Sequence, residues 1–552
     1  MLKKSDKIIR SRQDSRRILG LWVCGAFAAV CSITVLYYLL FPARGAFFSD
    51  TADTLYWAQA SCDSGKIIDP DFYYATLLPF GGSLLMLPFF GLFGMSMTTH
   101  LIGMVLFVLL FMAALWFLCR TLPYGLKGRF LLFGTVLLGL SSSKKLREIM
   151  WEHTIYYSIG ILLSLLMLGV IFLILFPKDN KDNGISRKGT GFFVALLALL
   201  GFLSGVDGPQ VLVFCVFPVL AGLCAERFCN PKPLAWGKKR IGLLVVGALV
   251  GGAVLGLLAT QIAFGGIETT YSDGNLVFCS PSHWSGNVLN IPLHWITLLG
   301  FGAASGETIV SIRGVAELFR LIVAVLLFCL PFSAALWYKK IESRKLRILL
   351  WYHWALSAVI IGSHVVGSTG SSNWRMTPMV ASSLIVTVCL IHDIWIRRAK
   401  NGLVLRRAAA LCIAVLMLFN FLNLVAIVSL KPDSYKDSQL YAVAELLENN
   451  GLTHGFSGFE TAHSITVISN ERVKSRLVEF APEGVAPRLY QTRLSWYNEK
   501  SADGRYFLIT SFNYYCEMMQ YPAWQKLSEH ELEQLHSDGF FIIVYDINIV
   551  FA

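Results

Sequence analysis

Long apolar runs separated by short polar connections fill most of the chain. Windows of hydrophobicity that suit a membrane crossing fall at residues 19–41, 98–118, 130–140, 155–176, 191–204, 209–224, 241–264, 316–337, 348–366, 378–395 and 408–430. About eleven transmembrane helices are expected. Two of these runs, 130–140 and 191–204, are shorter than a full crossing and need flanking residues to complete them. After residue 430 the pattern changes. A polar segment of small-domain size begins at Lys431. Helical periodicity spans 437–450, with Gly451 as its stop, and β-rich stretches follow at 454–459, 473–480, 506–510 and 540–545. The run 529–538 reads as a charged helix. The expected architecture is mainly α, a polytopic membrane domain over 1–430 followed by a small extracytoplasmic α/β domain over 431–552.

Charge gives the orientation. Lys3, Lys4, Lys7, Arg10, Arg12, Arg16 and Arg17 precede the first run, and further basic residues gather at Arg120/Lys127/Arg129, 178–188, 227–240, 339–347 and 397–407. With the N-terminus in the cytoplasm and eleven crossings, all these loops fall inside, as the positive-inside rule requires. The C-terminal segment and the two longest loops, 42–98 and 265–314, then fall outside. Lys144, Lys145 and Arg147 depart from the rule by lying outside too. The run 19–41 is too long for a cleaved signal peptide.

The 552 residues are 55% hydrophobic and only 15% charged, with a mean hydropathy of +0.59. That composition excludes an ordinary soluble globule. The net charge of +12 follows membrane topology rather than forming a patch, so nucleic acid is not an expected partner. Most of the 12 cysteines sit inside apolar runs as small packing residues. No CxxC or HExxH metal signature occurs, although a divalent cation is compatible with the chain. Gly247, Gly251, Gly252 and Gly256 recur at small-xxx-small spacing and read as helix packing.

The candidate chemistry gathers on the outer side. Asp50 and Asp53 follow the first span at once, three residues apart and so on one face of a helix. They suit either a general base for a lipid-borne substrate or the capping of a helix over 54–60. The outer loop continues through Asp71, Tyr73 and Tyr74 into a half-apolar stretch, 77–93, expected to lie along the membrane surface. Glu148, Glu152 and His153 stand at the outer mouth of the fourth span. They suit acceptor positioning or a divalent ion, or an ion-paired helix start. Asp207 reads as a turn residue between two spans. Tyr73, Tyr74, Trp57 and Trp284 suit stacking on sugar rings or an interfacial aromatic belt. His454 and His463 read as structural or exposed residues of the outer domain, which carries no nucleophile elbow, phosphate loop or paired-carboxylate signature.

The order of these features resembles the GT-C superfamily of integral-membrane glycosyltransferases, of the bacterial, polyprenyl-phosphate-sugar-dependent type. The resemblance is carried by Ser49-Asp50-Thr51-Ala52-Asp53-Thr54-Leu55-Tyr56-Trp57-Ala58 after the first span, and by Asp71-Phe72-Tyr73-Tyr74 downstream. Glu148, Glu152 and His153 continue it, and Trp374-Arg375-Met376-Thr377-Pro378 opens a late helix. Where the family commonly has a paired Asp-Glu, this chain has Asp-Thr at 50–51 and at 53–54, so either aspartate can be the base.

The resemblance implies an inverting transfer of a sugar from a polyprenyl-phosphate or pyrophosphate carrier to an acceptor on the outer face. The acceptor would be a glycan, a lipid or a cell-envelope polymer, and the base an aspartate of the first outer loop. Arg375 and Arg313 are the candidates for holding the leaving phosphate. Membrane lipid is the other partner, and the family offers no single cofactor expectation. The competing classes are a transporter or lipid-linked-sugar flippase, which would show repeats and polar residues at mid-membrane, and a non-catalytic anchor for the C-terminal domain.

Overall fold

The computed structural model of the protein describes residues 2–75, 80–177, 187–229, 239–270, 277–303, 306, 308–397, 402–537 and 539–550. Among the described residues ten helices are long and apolar enough to cross a membrane, from Ile18–Leu40 to Leu403–Val428, and each coincides with an expected span. The eleventh expected span is a helix of 14 residues, Leu126–Gly139, only about 21 Å long. It nevertheless traverses the bundle. It runs parallel to the first helix, with Lys127 over Gly20, Phe130 beside Gly25, and Gly134 against Phe27 and Cys31. Just beyond it, the Arg147 guanidinium lies 5.0 Å from the centre of the Tyr38 ring. The level of residue 20 and the level of residue 38 are about 27 Å apart along a helix. The short helix and the turn after it therefore complete a crossing between them.

Helices Arg187–Val206 and Lys239–Ala263 meet at backbone contact. Gly252 faces the carbonyl of Ala198, and Gly256 that of Phe202. Gly201 and Gly205 return the favour against Leu249 and Ala253. Gly247 and Gly251, which share the same sequence spacing, face open space. Only half of the glycine pattern is thus an interface.

At the Asp50 end, the turn Pro42–Ala46 leads into helix Ser49–Ser64. The stretch 80–93 is a helix containing Pro88, while residues 77–79 of the expected surface segment lie outside the described residues. Asp207 is more than a turn residue. Its Oδ1 accepts from the Gly81 amide at 3.0 Å and so ties the turn after the Arg187–Val206 helix to the start of Phe80–Phe93.

The C-terminal segment forms a six-stranded sheet in the order Gly484–Pro487, Lys474–Ala481, His454–Ser457, Tyr506–Thr510, Phe540–Tyr545, Glu531–Ser537. The second, third and fourth strands are mutually parallel, and the remaining pairs are antiparallel. Helix Gln439–Asn449 ends at Gly451, whose φ is +67°. The expected charged helix at 529–538 is instead the edge strand Glu531–Ser537, paired with Phe540–Tyr545. Its charges are those of an exposed sheet edge, where they discourage pairing with a second chain.

A second, three-stranded sheet knits distant segments together. Strand Phe72–Ala75 of the loop 42–98 pairs in parallel with Thr269–Thr270 of the loop 265–314, and antiparallel with Thr492–Arg493. The Gln491 amide donates to the Tyr73 carbonyl at 2.8 Å, and Arg493 pairs with Asp69 at 3.0 Å. Nearer the bundle, Ser434 donates to the Pro42 carbonyl at 2.8 Å, and Arg44 lies 4.7 Å over the Tyr435 ring.

The glycine asymmetry gives a direct check. Gly256→Val must push two helix backbones apart, at a cost of about 1–3 kcal/mol or more, and should lower the melting temperature in detergent by several degrees. Gly251→Val should leave it unchanged. Equal effects of the two substitutions would show that the helices do not meet along this face.

Candidate functional site

Helix Ser49–Ser64 is almost wholly buried between the bundle and the C-terminal sheet. Thr51 accepts from the Phe48 amide at 3.1 Å, and Gly65, with φ of +66°, ends the helix. The helix starts five residues before the expected 54–60, so both aspartates lie in its first two turns. Their environments differ sharply.

Asp53 is 2% exposed. Tyr490 of the C-terminal segment donates to its Oδ2 at 2.8 Å, and His463 Nδ1 lies 3.5 Å from Oδ1. Burial pushes Asp53 up to about 8, against a lowering by the Tyr490 hydrogen bond. Burial also brings His463 down to about 3, with the Arg476 charge acting in the same direction. At neutral pH this close contact is therefore between uncharged groups, not an ion pair. The His463 ring stacks on Tyr56, with centroids 4.0 Å apart. Of the two alternatives for His463, structural or exposed, the structure shows the buried one. His463 is buried at the contact between domain and helix.

Asp50 is half-buried and has no hydrogen-bond or ion-pair partner among the described residues. Burial is the largest cause that lifts its carboxyl to about 7. Asp53 and Glu148 add to the rise, and Lys145 and His463 oppose it. Those neighbours define the site. Glu148 pairs with Lys145, and Lys145 in turn lies 4.8 Å over the Trp374 ring. The segment Asn373–Met376, which carries Arg375, thereby shares a wall with the Asp50 group. Arg375 is half-buried, and its Nε is buried without a hydrogen-bond partner.

The residues from Ser141 to Thr154, Lys145 and Glu148 among them, continue the site away from Trp374. Glu148–Glu152 is a single π-helical turn, a distortion that often marks functional sites. It directs Glu152 inward, where Tyr38 donates to Oε1 and Glu152 is 3% exposed. Burial, opposed by the Tyr38 hydrogen bond, lifts Glu152 to about 7. His153 is buried behind it and lowered to about 3, by burial first and then by Lys145 and His100. Glu148 and Glu152 are thus engaged by different partners. Among the described residues no group of three or more His, Cys, Asp or Glu side chains is placed to hold a metal ion.

The remaining expected residues lie elsewhere. Arg313 is exposed on the first turn of helix Ile312–Ser333. Tyr74 is 1% exposed. It packs against Trp57, Phe72 and Phe264, and its hydroxyl accepts from the Asp69 amide at 2.7 Å, which leaves no face for a sugar. Tyr73 is half-buried and lines a separate polar cleft of about 390 Å³ with Asp71, Glu268 and Arg493. The sequence reading missed Tyr490 and Tyr38 as partners of the acids, and Trp374 as the ring beneath Lys145. It did contain one pointer, the basic cluster 144–147, of which Lys145 and Arg147 are held against aromatic rings at this end of the bundle.

No family model and no curated protein matches the chain. Solved structures do. The crystal structure of ArnT from Cupriavidus metallidurans bound to undecaprenyl phosphate matches with a TM-score of 0.54 and 11% identity, over 95% of this chain and 98% of that one. The apo state of the same protein matches with a TM-score of 0.54 and 12% identity, over 96% and 98%. The Archaeoglobus fulgidus oligosaccharyltransferase with zinc and sulfate gives 0.48 and 11% identity, over 92% and 71%. At such identities the likeness is one of fold, and the fold is the polytopic helical one, with a C-terminal sheet, expected from the order of spans and loops.

The buried acid yields a stability prediction. Asp53 holds its proton more tightly in the folded protein (about 8) than at its ordinary value of 3.8. Its contribution is therefore complete below about pH 4 and is lost as pH rises toward 8, at up to about 1.4 kcal/mol per pH unit. Asp53→Asn, which keeps the shape and an acceptor for Tyr490, should gain melting temperature relative to the parent as pH rises from 5 to 8. A difference that stays flat across that range would contradict a buried, neutral Asp53.

Proposed function

We propose that the protein is a membrane glycosyltransferase that moves a sugar from a polyprenyl-phosphate or pyrophosphate carrier to an acceptor on the outer face, with Asp50 as general base. The observation that carries this reading is the contrast between the two aspartates. Asp50 is reachable, unpartnered among the described residues and poised near neutrality. Asp53 is sealed and hydrogen-bonded. A base with a pKa near the working pH combines availability with driving force.

In the proposed step the acceptor hydroxyl loses its proton to Asp50 as its oxygen attacks the anomeric carbon. The bond from that carbon to the carrier oxygen breaks, the electron pair leaves with the lipid phosphate, and the configuration inverts. The leaving phosphate needs a cation close by. Arg375, whose buried Nε lacks a partner, is the best candidate, with Lys145 between it and Asp50. Glu152 and His153 shape the wall behind. The fold likeness to ArnT, a protein crystallised with undecaprenyl phosphate, supports a polyprenyl-phosphate carrier. The acceptor class, glycan, lipid or cell-envelope polymer, is left to experiment, and the N-terminus is taken as cytoplasmic by the positive-inside rule.

The test is transfer from a radiolabelled polyprenyl-phosphate sugar in reconstituted vesicles. Asp50→Asn should lose at least about 100-fold in rate while melting like the parent. In the parent, the rate should climb with pH through about 7 and then level off, because Asp50 must be ionised to take the proton. Full activity in a folded Asp50→Asn sample, or a rate that falls as pH rises from 6 to 8, would overturn the assignment of the base.

A further inference from the structure

The end of the bundle away from Asp50 holds a cavity that the proposed chemistry does not use. It has a volume of about 240 Å³ and lies between the first helix (Cys24), the Leu126–Gly139 helix (Lys127, Leu131, Thr135), the Thr377–Arg397 helix (Val388, Ile391, His392, Trp395) and the Leu403–Val428 helix (Ile413, Leu416). Its depth follows from the residues on one helix. Lys127 to Thr135 is eight residues, or about 12 Å. Dividing 240 Å³ by that depth leaves a cross-section of roughly 20 Å². That is wide enough for an extended hydrocarbon chain. The inner part is apolar, with Val388, Ile391 and Leu416 at 5%, 2% and 4% exposure. Left empty it would forfeit dispersion contacts on every side.

The mouth is basic. Lys127 is exposed and lies over Gly20, whose missing side chain makes room for the ammonium. Arg406 lies 5.4 Å from the centre of the Trp395 ring, and Trp395 is itself part of the cavity wall. Neither Lys127 nor Arg406 has a carboxylate partner among the described residues. His392 reaches the rim because Gly128 has no Cβ to block it, and it packs 4.0 Å from the Tyr124 ring. A narrow apolar slot capped by unpaired cations is complementary to a lipid with one anionic head and at least one free acyl chain. Basic pockets between transmembrane helices on the cytoplasmic side are suited to such head groups, and this end carries the basic loops.

We propose that this cavity is a binding site for an anionic phospholipid of the inner leaflet, with one acyl chain in the slot and its phosphate between Lys127 and Arg406. The bound lipid would fill the seam where the first helix meets the short eleventh crossing. That seam has the least helix of any crossing to hold it.

The test uses the full-length protein, delipidated in a neutral detergent. Dioleoyl phosphatidylglycerol, dioleoyl phosphatidylcholine and glycerol phosphate are added separately, and lipid retention is followed by native mass spectrometry beside the melting temperature. The phosphatidylglycerol should be retained at a stoichiometry of one and should raise the melting temperature by several degrees. The phosphatidylcholine and the free head group should do neither. Lys127→Ala combined with Arg406→Ala should remove the preference for the anionic lipid. Leu131→Trp, which fills the slot, should remove retention altogether. Should Leu131→Trp fail to fold, the surface double variant decides alone. Equal effects of the two phospholipids, stabilisation by glycerol phosphate alone, or an unchanged preference in the double variant would each overturn the proposal. So would competition showing that undecaprenyl phosphate takes this slot in preference to phosphatidylglycerol. Activity in the transfer assay does not enter these readouts, so the outcome is independent of the role proposed for Asp50.

Discussion

The hydrogen bond from Tyr490 to Asp53 is the constraint on which the site depends. It joins positions 437 apart in the chain and seals a carboxyl group that would otherwise draw water into the seam between bundle and C-terminal sheet. A buried carboxyl without such a partner costs several kcal/mol or takes up a proton. Here it does both less and more, since it keeps its proton to about pH 8 and still accepts from Tyr490. Ser464 and Ser49 meet beside it, and the three-stranded sheet locks the neighbouring loops. The helix that carries Asp50 is thus clamped from the C-terminal side, and the orientation of Asp50 follows from that clamp.

Two acids on one helical face have been given different surroundings, one sealed and hydrogen-bonded and the other half-exposed. Such divergence is a general way in which proteins assign distinct roles to chemically identical groups. Asp50 sits beside an ion pair, Glu148 with Lys145, whose members act on its carboxyl in opposite directions. Asp53 sees chiefly low dielectric. Glu152, lifted to about 7 and bonded by Tyr38, is a third carboxyl near neutrality. The cations of this end, Lys145 over Trp374 and Arg147 over Tyr38, are held by aromatic rings rather than left in solvent.

The crossings were legible because a bilayer imposes length and apolarity on every helix that spans it. Even the 14-residue helix was visible as an apolar run, although its partners along the first helix were not. Four of the C-terminal strands could be read from their β-branched and aromatic content. The strand Glu531–Ser537 could not, because charges that guard a sheet edge look like those of a solvated helix. The acidic face of the Ser49–Ser64 helix was legible from spacing, but the distinct surroundings of its two acids were not. That distinction is made by Tyr490 and His463, and no local pattern in a sequence reports a contact across hundreds of residues. Tyr74 shows the reverse failure, since an aromatic residue near the interface looks the same from sequence whether it greets a ligand or fills a core.

The clamp on the Ser49–Ser64 helix also sets an order of events during biosynthesis. The helix leaves the ribosome early, whereas the strand and tyrosine that close over it are translated more than 400 residues later. Throughout that interval the nascent chain carries an unsealed acidic helix at the membrane edge. A ribosome stalled after the last span but before residue 490 leaves behind an inserted bundle with its acidic helix still unsealed.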